Sequence, residues 1–263
     1  MSVYIHGGLR SPIGVLNGQY KHMRPEMLGA QLIDELVRRH AISQVDGIFC
    51  GNAVGTGGNI SRLMGLMSTL PNSVPAITVD MQCASALMSI EMAYTHIASG
   101  VMNSAIAGGI ESSSLQPDRI YANGDNREGL YKVAQFTPED HSPLAMLEGA
   151  ERTIHKHNIT KEDLYPYIIN SHRRAFGALD NPYLQSYIMT ITLDGKVCVD
   201  ECIRPKMNEK LLSRMKPLLG PHSITNAGNA CLTHDGAAFV YVSNTKGPFR
   251  IHSVMPWAGN PQF

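Results

Sequence analysis

Cys83 stands in the run Thr78-Val79-Asp80-Met81-Gln82-Cys83-Ala84-Ser85-Ala86-Leu87. An apolar, β-branched stretch ends there, a polar turn follows, and a helix of small residues is predicted to begin at the thiol itself. The first turn of a helix carries unpaired N–H groups and roughly half a positive charge, so a cysteine placed there is stabilised as thiolate, the nucleophilic form. The competing reading is a small buried hydrophobe, because free cysteine is among the most buried residue types. The surrounding sequence separates the two.

The other residues that could do chemistry are dispersed. The cysteines, Cys50, Cys83, Cys198, Cys202 and Cys231, are five in number and scattered, which points to a reducing compartment rather than a disulfide framework. Cys198 and Cys202 lack the second pair that a structural zinc site would need, so no metal is expected. None of the eleven histidines forms a metal-ligand pair on an evident helical face; His155 and His157 are two apart and fall on different sides of a helix. The turn Gly55-Thr56-Gly57-Gly58-Asn59 has neither the Gly-x-Gly-x-x-Gly spacing nor the Gly-Lys-Ser ending of a nucleotide loop. His172-Arg173-Arg174 is a small basic cluster, read as a solvated helix face or a phosphate attractor.

Composition removes whole classes of function. With 22 basic and 22 acidic residues among 263, the net charge is zero, so no global field draws the chain to nucleic acid or to an anionic membrane. There is no apolar run of about 18 residues and no charged leader before an apolar stretch. The expectation is a soluble, cytoplasmic protein with no nucleic-acid or membrane partner.

Strands alternate with helices around Cys83. Residues 3–5 read as a short buried strand, and residues 25–40 as an amphipathic helix with Leu28, Leu32 and Leu36 on one face. Strands follow at 47–51, 74–80 and 104–107, the last closed by Gly108-Gly109, with helices at 60–70 and 83–99. The helix from Cys83 is small or apolar on almost every side, the pattern of a buried helix. A polar, loop-rich stretch then holds two helices, one over 143–157 and one from the cap Thr160 to about Ala175, where Pro166 predicts a kink. A strand over 237–242 restores the alternation. This is the grammar of an α/β protein with a mostly parallel five-stranded sheet flanked by helices and an inserted helical and loop domain. In such sheets ligands bind outside the carboxyl ends of the strands, where Cys83 lies.

Five ordered motifs resemble the thiolase family, and the resemblance runs the length of the chain. They are Arg10-Ser11-Pro12-Ile13-Gly14, Gln82-Cys83-Ala84-Ser85-Ala86, Ala107-Gly108-Gly109-Ile110-Glu111-Ser112, Asp200-Glu201-Cys202-Ile203-Arg204-Pro205, and the run from Asn226-Ala227-Gly228-Asn229-Ala230-Cys231 through Asp235-Gly236-Ala237-Ala238. Two positions depart from the family pattern: Ala86 replaces a glycine and Cys231 a serine. The resemblance implies a thiolase-like N-terminal α/β domain over 1–115 and 222–246, an inserted loop domain that binds coenzyme A over 116–221, and the start of a second half at 247–263.

The same resemblance implies an acyl-CoA acyltransferase (acetyl-CoA C-acyltransferase) that forms or cleaves 3-ketoacyl-CoA through an acyl group held on Cys83. No cofactor is implied, since coenzyme A thioesters are the substrates. Arg204 would face the nucleotide end, Met146 and Met215 would flank adenine or pantetheine, and Ala227 with Cys231 would line the path to the thiol; core packing is the alternative for both methionines. Thiolases carry a Gly-His-Pro histidine, a second cysteine and an asparagine in a second half whose motifs this sequence does not show. The chain is therefore expected to be a fragment, one subunit of a split thiolase, or a half that has lost or changed its activity, with a separate C-terminal-half subunit or further copies of itself (a homo-oligomer) as the expected partner. The alternatives are a non-catalytic thiolase-fold partner subunit or CoA-thioester-binding module and, less well matched by the motifs, a decarboxylating ketoacyl synthase.

Overall fold

The computed structural model describes residues 1–55, 58–132, 134–135 and 142–256. In chain order the elements are β1 (Val3–Arg10), β2 (Gly14–Val15), α1 (Pro25–Arg39), β3 (Ile48–Gly51), α2 (Ile60–Met67), β4 (Ala76–Val79), α3 (Ser85–Ala98), β5 (Ser104–Ser112), β6 (Arg119–Ile120), β7 (Leu130–Tyr131), α4 (Ala145–Lys156), α5 (Lys161–Gly177), α6 (Pro182–Gln185), β8 (Thr192–Leu193), β9 (Lys196–Val197), α7 (Glu209–Leu212), β10 (His234–Ser243) and β11 (Phe249–Ile251). Part of the glycine turn that precedes α2 lies outside the described residues.

The main sheet has seven strands in the order β11-β1-β10-β5-β3-β4, with β2 also on β10. It is mixed, where the alternation of strands and helices predicts a mostly parallel one. β3 pairs in parallel with β4 and β5, but β10 is antiparallel to β1 and to β5. The long polar segment before β10 brings the chain back to the same end of the sheet, so the strand must enter in the opposite sense. Residues 249–251 add an edge strand to β1 of this same sheet; the sequence reading has them open a second half.

Side chains alternate across the sheet. Ile48 and Cys50 face one side with Leu32, Ile33 and Leu36 of α1 and Met64 of α2. Phe49 faces the other, with Ala93 and Ile97 of α3, Ala105, Ala107 and Val242. Both faces of β3 are thus covered, which explains its unbroken apolar sequence. Each large aliphatic side chain so buried contributes about 1.5–3 kcal/mol. The predicted helix over 25–40 forms because Leu28, Leu32 and Leu36 recur at four-residue spacing and point into that core.

The described residues divide into two compact units. The first comprises the described parts of Met1–Lys132, Ser186–Glu201 and His234–Ala258; the second comprises the described part of Val133–Gln185 with Cys202–Thr233. Segments 116–132 and 186–201 thus belong with the sheet, and 222–233 with the helices, which shifts the limits read from sequence. The second unit is organised by α5, whose Thr160 side chain and Asp163 form a reciprocal cap; the helix continues through Pro166.

Candidate functional site at Cys83

The chain between β4 and α3 is a tight, hydrogen-bonded turn. Helix α3 begins at Ser85, two residues later than the sequence suggests, and Cys83 lies just before it, exposed. The delay has a structural cause. Gln82 adopts φ 51°, a left-handed conformation that costs a non-glycine residue about 1–2 kcal/mol. The Ser85 hydroxyl accepts the Met81 N–H at 2.8 Å and donates to the Gln82 carbonyl at 2.6 Å, while Asp80 Oδ1 accepts the Gln82 N–H at 2.9 Å. These bonds close the turn on both sides of Gln82 and present the next residue, Cys83, at its apex.

A cleft of about 510 Å³ opens beside the thiol. Gly51, Gly109 and Ala238 lie side by side in adjacent strands and are among its lining residues. Their small size is required there: a Cβ on Gly51 would fall 2.6 Å from the Ala86 nitrogen, and one on Gly109 would fall 3.0 Å from the Ala86 Cβ. The methyl group of Ala86 is therefore accommodated by glycine across from it.

Buried and half-buried carboxylates fix the loops around this cleft. Glu111 accepts hydrogen bonds from Asn52 Nδ2 at 2.8 Å and from the Ala53 and Val54 N–H groups at 2.9 and 3.0 Å. Arg119 donates to the Val54 carbonyl from the other side. Asp200 receives Arg10 at both oxygens, at 2.8 and 2.7 Å, and the Ile13 N–H at 2.7 Å. Burial opposes ionisation of Asp200, but Arg10 and the Ile13 N–H outweigh it and hold the carboxyl below its usual range. Asp235 accepts both the N–H and the hydroxyl of Ser114. Sequence reasoning missed Glu111, Asp235 and His234 as cleft-lining residues; the only signal was their position inside the recurring motifs.

The cysteines separate by environment. Cys50 and Cys198 are buried, and burial pushes both thiols up, with Glu201 adding to the effect at Cys198. Cys83 and Cys231 are exposed. Among the described residues no group of three or more His, Cys, Asp or Glu could hold a metal ion, and no helix is long and apolar enough to cross a membrane.

The five residues expected to contact coenzyme A all lie in the second unit. Met215 is half-buried and packs on the cluster of Tyr165, Met207 and Leu212, with its sulfur against Gly228. Ala227 is exposed in a turn knitted by asparagines: the Asn226 N–H donates to Asn229 Oδ1 at 2.7 Å, and Asn226 Oδ1 accepts the Gly228 N–H at 2.8 Å. The structure thus brings Met215 and the Ala227 turn together. Arg204 is half-buried, and its N–H donates to His172 Nδ1 at 3.2 Å. Met146 is 65% exposed on α4, and Cys231 is exposed beyond the turn.

A mixed sheet between helices, with a cysteine at the turn that leads from the parallel edge strand β4 into α3, defines a class of α/β proteins that the sequence motifs narrow further. The chain belongs to the thiolase family: residues 3–246 match the thiolase N-terminal domain. It is 32% identical over 240 residues to a Staphylococcus haemolyticus protein whose provisional name is acetyl-CoA C-acetyltransferase VraB, covering 89% of this chain and 62% of that protein. A Staphylococcus aureus protein of the same name is 31% identical over 240 residues, with 89% and 63% covered. Among solved structures, the acetyl-CoA acetyltransferase of Bacillus anthracis superposes with a TM-score of 0.83 at 26% identity, over 93% of this chain and 66% of that one. The chain therefore spans somewhat under two thirds of the length of these relatives.

Proposed function

We propose that this chain carries the acyl-accepting half of a thiolase reaction, with Cys83 as the nucleophile. The observation that carries the reading is an exposed cysteine at the apex of a rigid turn, facing a cleft whose wall is kept open by Gly51 and Gly109. The Cys83 thiolate attacks the carbonyl carbon of an acyl-CoA; a sulfur–carbon bond forms at Cys83, the bond to the CoA sulfur breaks, and CoA leaves as a thiol once protonated. A thiolate suits this role because it is both a strong nucleophile and a good leaving group. Passage of the acyl group to the α-carbon of a second acyl-CoA, or the reverse thiolysis, is assigned to this chain acting with acid and base groups of the kind thiolases carry in their other half, on a partner subunit or a further segment.

In this reading the second unit holds the coenzyme A chain through Met146, Arg204, Met215, Ala227 and Cys231. No further cofactor is called for, and the cytoplasm, where acyl-CoA is available, is the proposed location. The test is incubation with acetyl-CoA followed by peptide mass spectrometry. An acetyl group should appear on Cys83, be released by neutral hydroxylamine as a thioester is, and be absent from Cys83→Ser. Acetylation that persists in Cys83→Ser, or its absence in the parent, would overturn the assignment.

A further inference from the structure

Glu151, on the inner side of α4, accepts a cluster of hydrogen bonds from one short segment. Its Oε1 takes the Ile224 N–H at 2.8 Å; its Oε2 takes the Ser223 hydroxyl at 3.0 Å, the Thr225 N–H at 3.0 Å and the Thr225 hydroxyl. Glu151 is buried, as is Thr225. A carboxylate satisfied at both oxygens by backbone and hydroxyl donors fixes a loop more tightly than a neutral partner would, since charge-assisted bonds are about twice as strong. The loop so fixed leads directly into the Asn226–Asn229 turn that displays Ala227. Ile224 adds a second tie, its carbonyl accepting from the Asn226 and Asn229 side chains at 3.2 and 3.0 Å. The chain from α4 to Ala227 is thus a continuous set of bonds: carboxylate, Ile224 and Thr225, Asn226, then the exposed turn.

We propose that Glu151 is a positioning residue: it holds the segment 223–225, and through it the Ala227 turn, in the conformation that accepts a coenzyme A thioester, without touching the ligand. The proposal rests on the reading that the second unit binds coenzyme A. Its uncharged isostere cannot do the same work, because a carboxamide presents an N–H₂ group to donors that need an acceptor. Thr225 is the matching handle on the loop. Replacing it by valine removes one donor and keeps the shape, and replacing it by serine keeps the donor.

The experiment uses the full chain and coenzyme A itself as probe. Calorimetry should show affinity for coenzyme A about tenfold weaker in Glu151→Gln and in Thr225→Val, the scale of losing one charge-assisted hydrogen bond, and close to parent in Thr225→Ser. Hydrogen exchange should rise by tenfold or more at the amides of Ile224 and Thr225 in the first two variants, with the amides of β5 and β10 unchanged as a control for folding. The outcomes are distinguishable. A parent that binds no coenzyme A overturns the binding reading of the second unit. Unchanged loop exchange in a folded Glu151→Gln or Thr225→Val overturns the clamp. Faster loop exchange with unchanged affinity overturns the link between clamp and ligand. Should Glu151→Gln fail to fold, the contrast between Thr225→Val and Thr225→Ser decides the question alone.

Discussion

Ser85 does for the Cys83 turn what a longer network does elsewhere in the chain. Its buried hydroxyl spans the turn by accepting from Met81 and donating to Gln82, so the strained Gln82 conformation is held by bonds on both sides. Ser85→Ala removes the hydroxyl from the half-buried Met81 N–H and from the Gln82 carbonyl, which keeps the Ser85 N–H at 3.1 Å, at a cost of about 0.5–1.5 kcal/mol, the net worth of such a hydrogen bond. The expected outcome is a urea midpoint lowered accordingly, together with slower acetylation of Cys83, because the turn can then relax and the thiol wander from the cleft. Acetylation at the parent rate in a destabilised Ser85→Ala would show that the turn's rigidity does not serve the thiol. The sequence exposed Cys83 itself, through the polar turn and the small residues after it. It could not expose the turn: Ser85 reads as an ordinary residue of the helix's first turn, and nothing in Gln82 announces a left-handed backbone, so the sequence alone starts the helix two residues early.

Elements position the site chiefly through what they lack. Gly51 ends β3 beneath the start of α3, and the Ser85–Ala86 peptide occupies the space where its side chain would be. Gly51→Ala must push the N-terminal turn of α3 away from the sheet. Overpacking of this kind costs about 1–3 kcal/mol, and here Cys83 sits in the turn just before the displaced helix. The variant should stay folded by circular dichroism and lose most of its capacity for acetylation, while Gly177→Ala, at a helical backbone (φ −64°) where a Cβ would meet nothing within 4 Å, should keep it. Full acetylation of Gly51→Ala would show that the cleft tolerates a shifted helix. Glycine also explains a misread boundary. Gly108-Gly109 looks like the end of a strand, yet β5 continues to Ser112, because a Cβ on Gly108 would strike the Ala238 carbonyl at 2.0 Å and one on Gly109 would crowd Ala86. These glycines permit close packing rather than a turn, a distinction that spacing alone does not carry. By contrast α1 and α5 were legible, since a leucine stripe and a Thr-x-x-Asp cap are local signals.

Over the whole molecule, loops are fastened by ionised carboxylates, and this fixes how stability responds to pH. Asp200 in the first unit and Glu151 in the second both face a burial penalty. It is outweighed in each case, at Asp200 by Arg10 and the Ile13 N–H, and at Glu151 by the Thr225 hydroxyl and the Ile224 and Thr225 N–H groups, which hold its carboxyl at about 2. Asp46, gripped by Gln44 and by the Asn103 and Ser104 N–H groups against its own burial penalty, is likewise held below its usual value. A carboxyl lowered in the folded state contributes stability that is complete above its ordinary value and is lost as pH falls through the folded one. That loss should run from about pH 4.5 towards 2, the ordinary and folded values for Glu151. Two histidines set a milder, earlier step. His40 in the first unit and His172 in the second are lowered below 6.5, first by burial and then by the neighbouring charges of Arg39 and Arg204. The unfolded chain takes up their protons before the folded one does, so stability begins to fall as pH drops below 6.5. Denaturant unfolding followed from pH 8 to pH 3 should therefore be flat at the alkaline end, dip gently below 6.5 and fall steeply below 4.5. His172→Gln should reduce the first step and Asp200→Asn the second. Stability that rises as pH falls from 6.5, or that stays level to pH 3, would contradict the neutral histidines in the first case and the ionised carboxylate fastenings in the second.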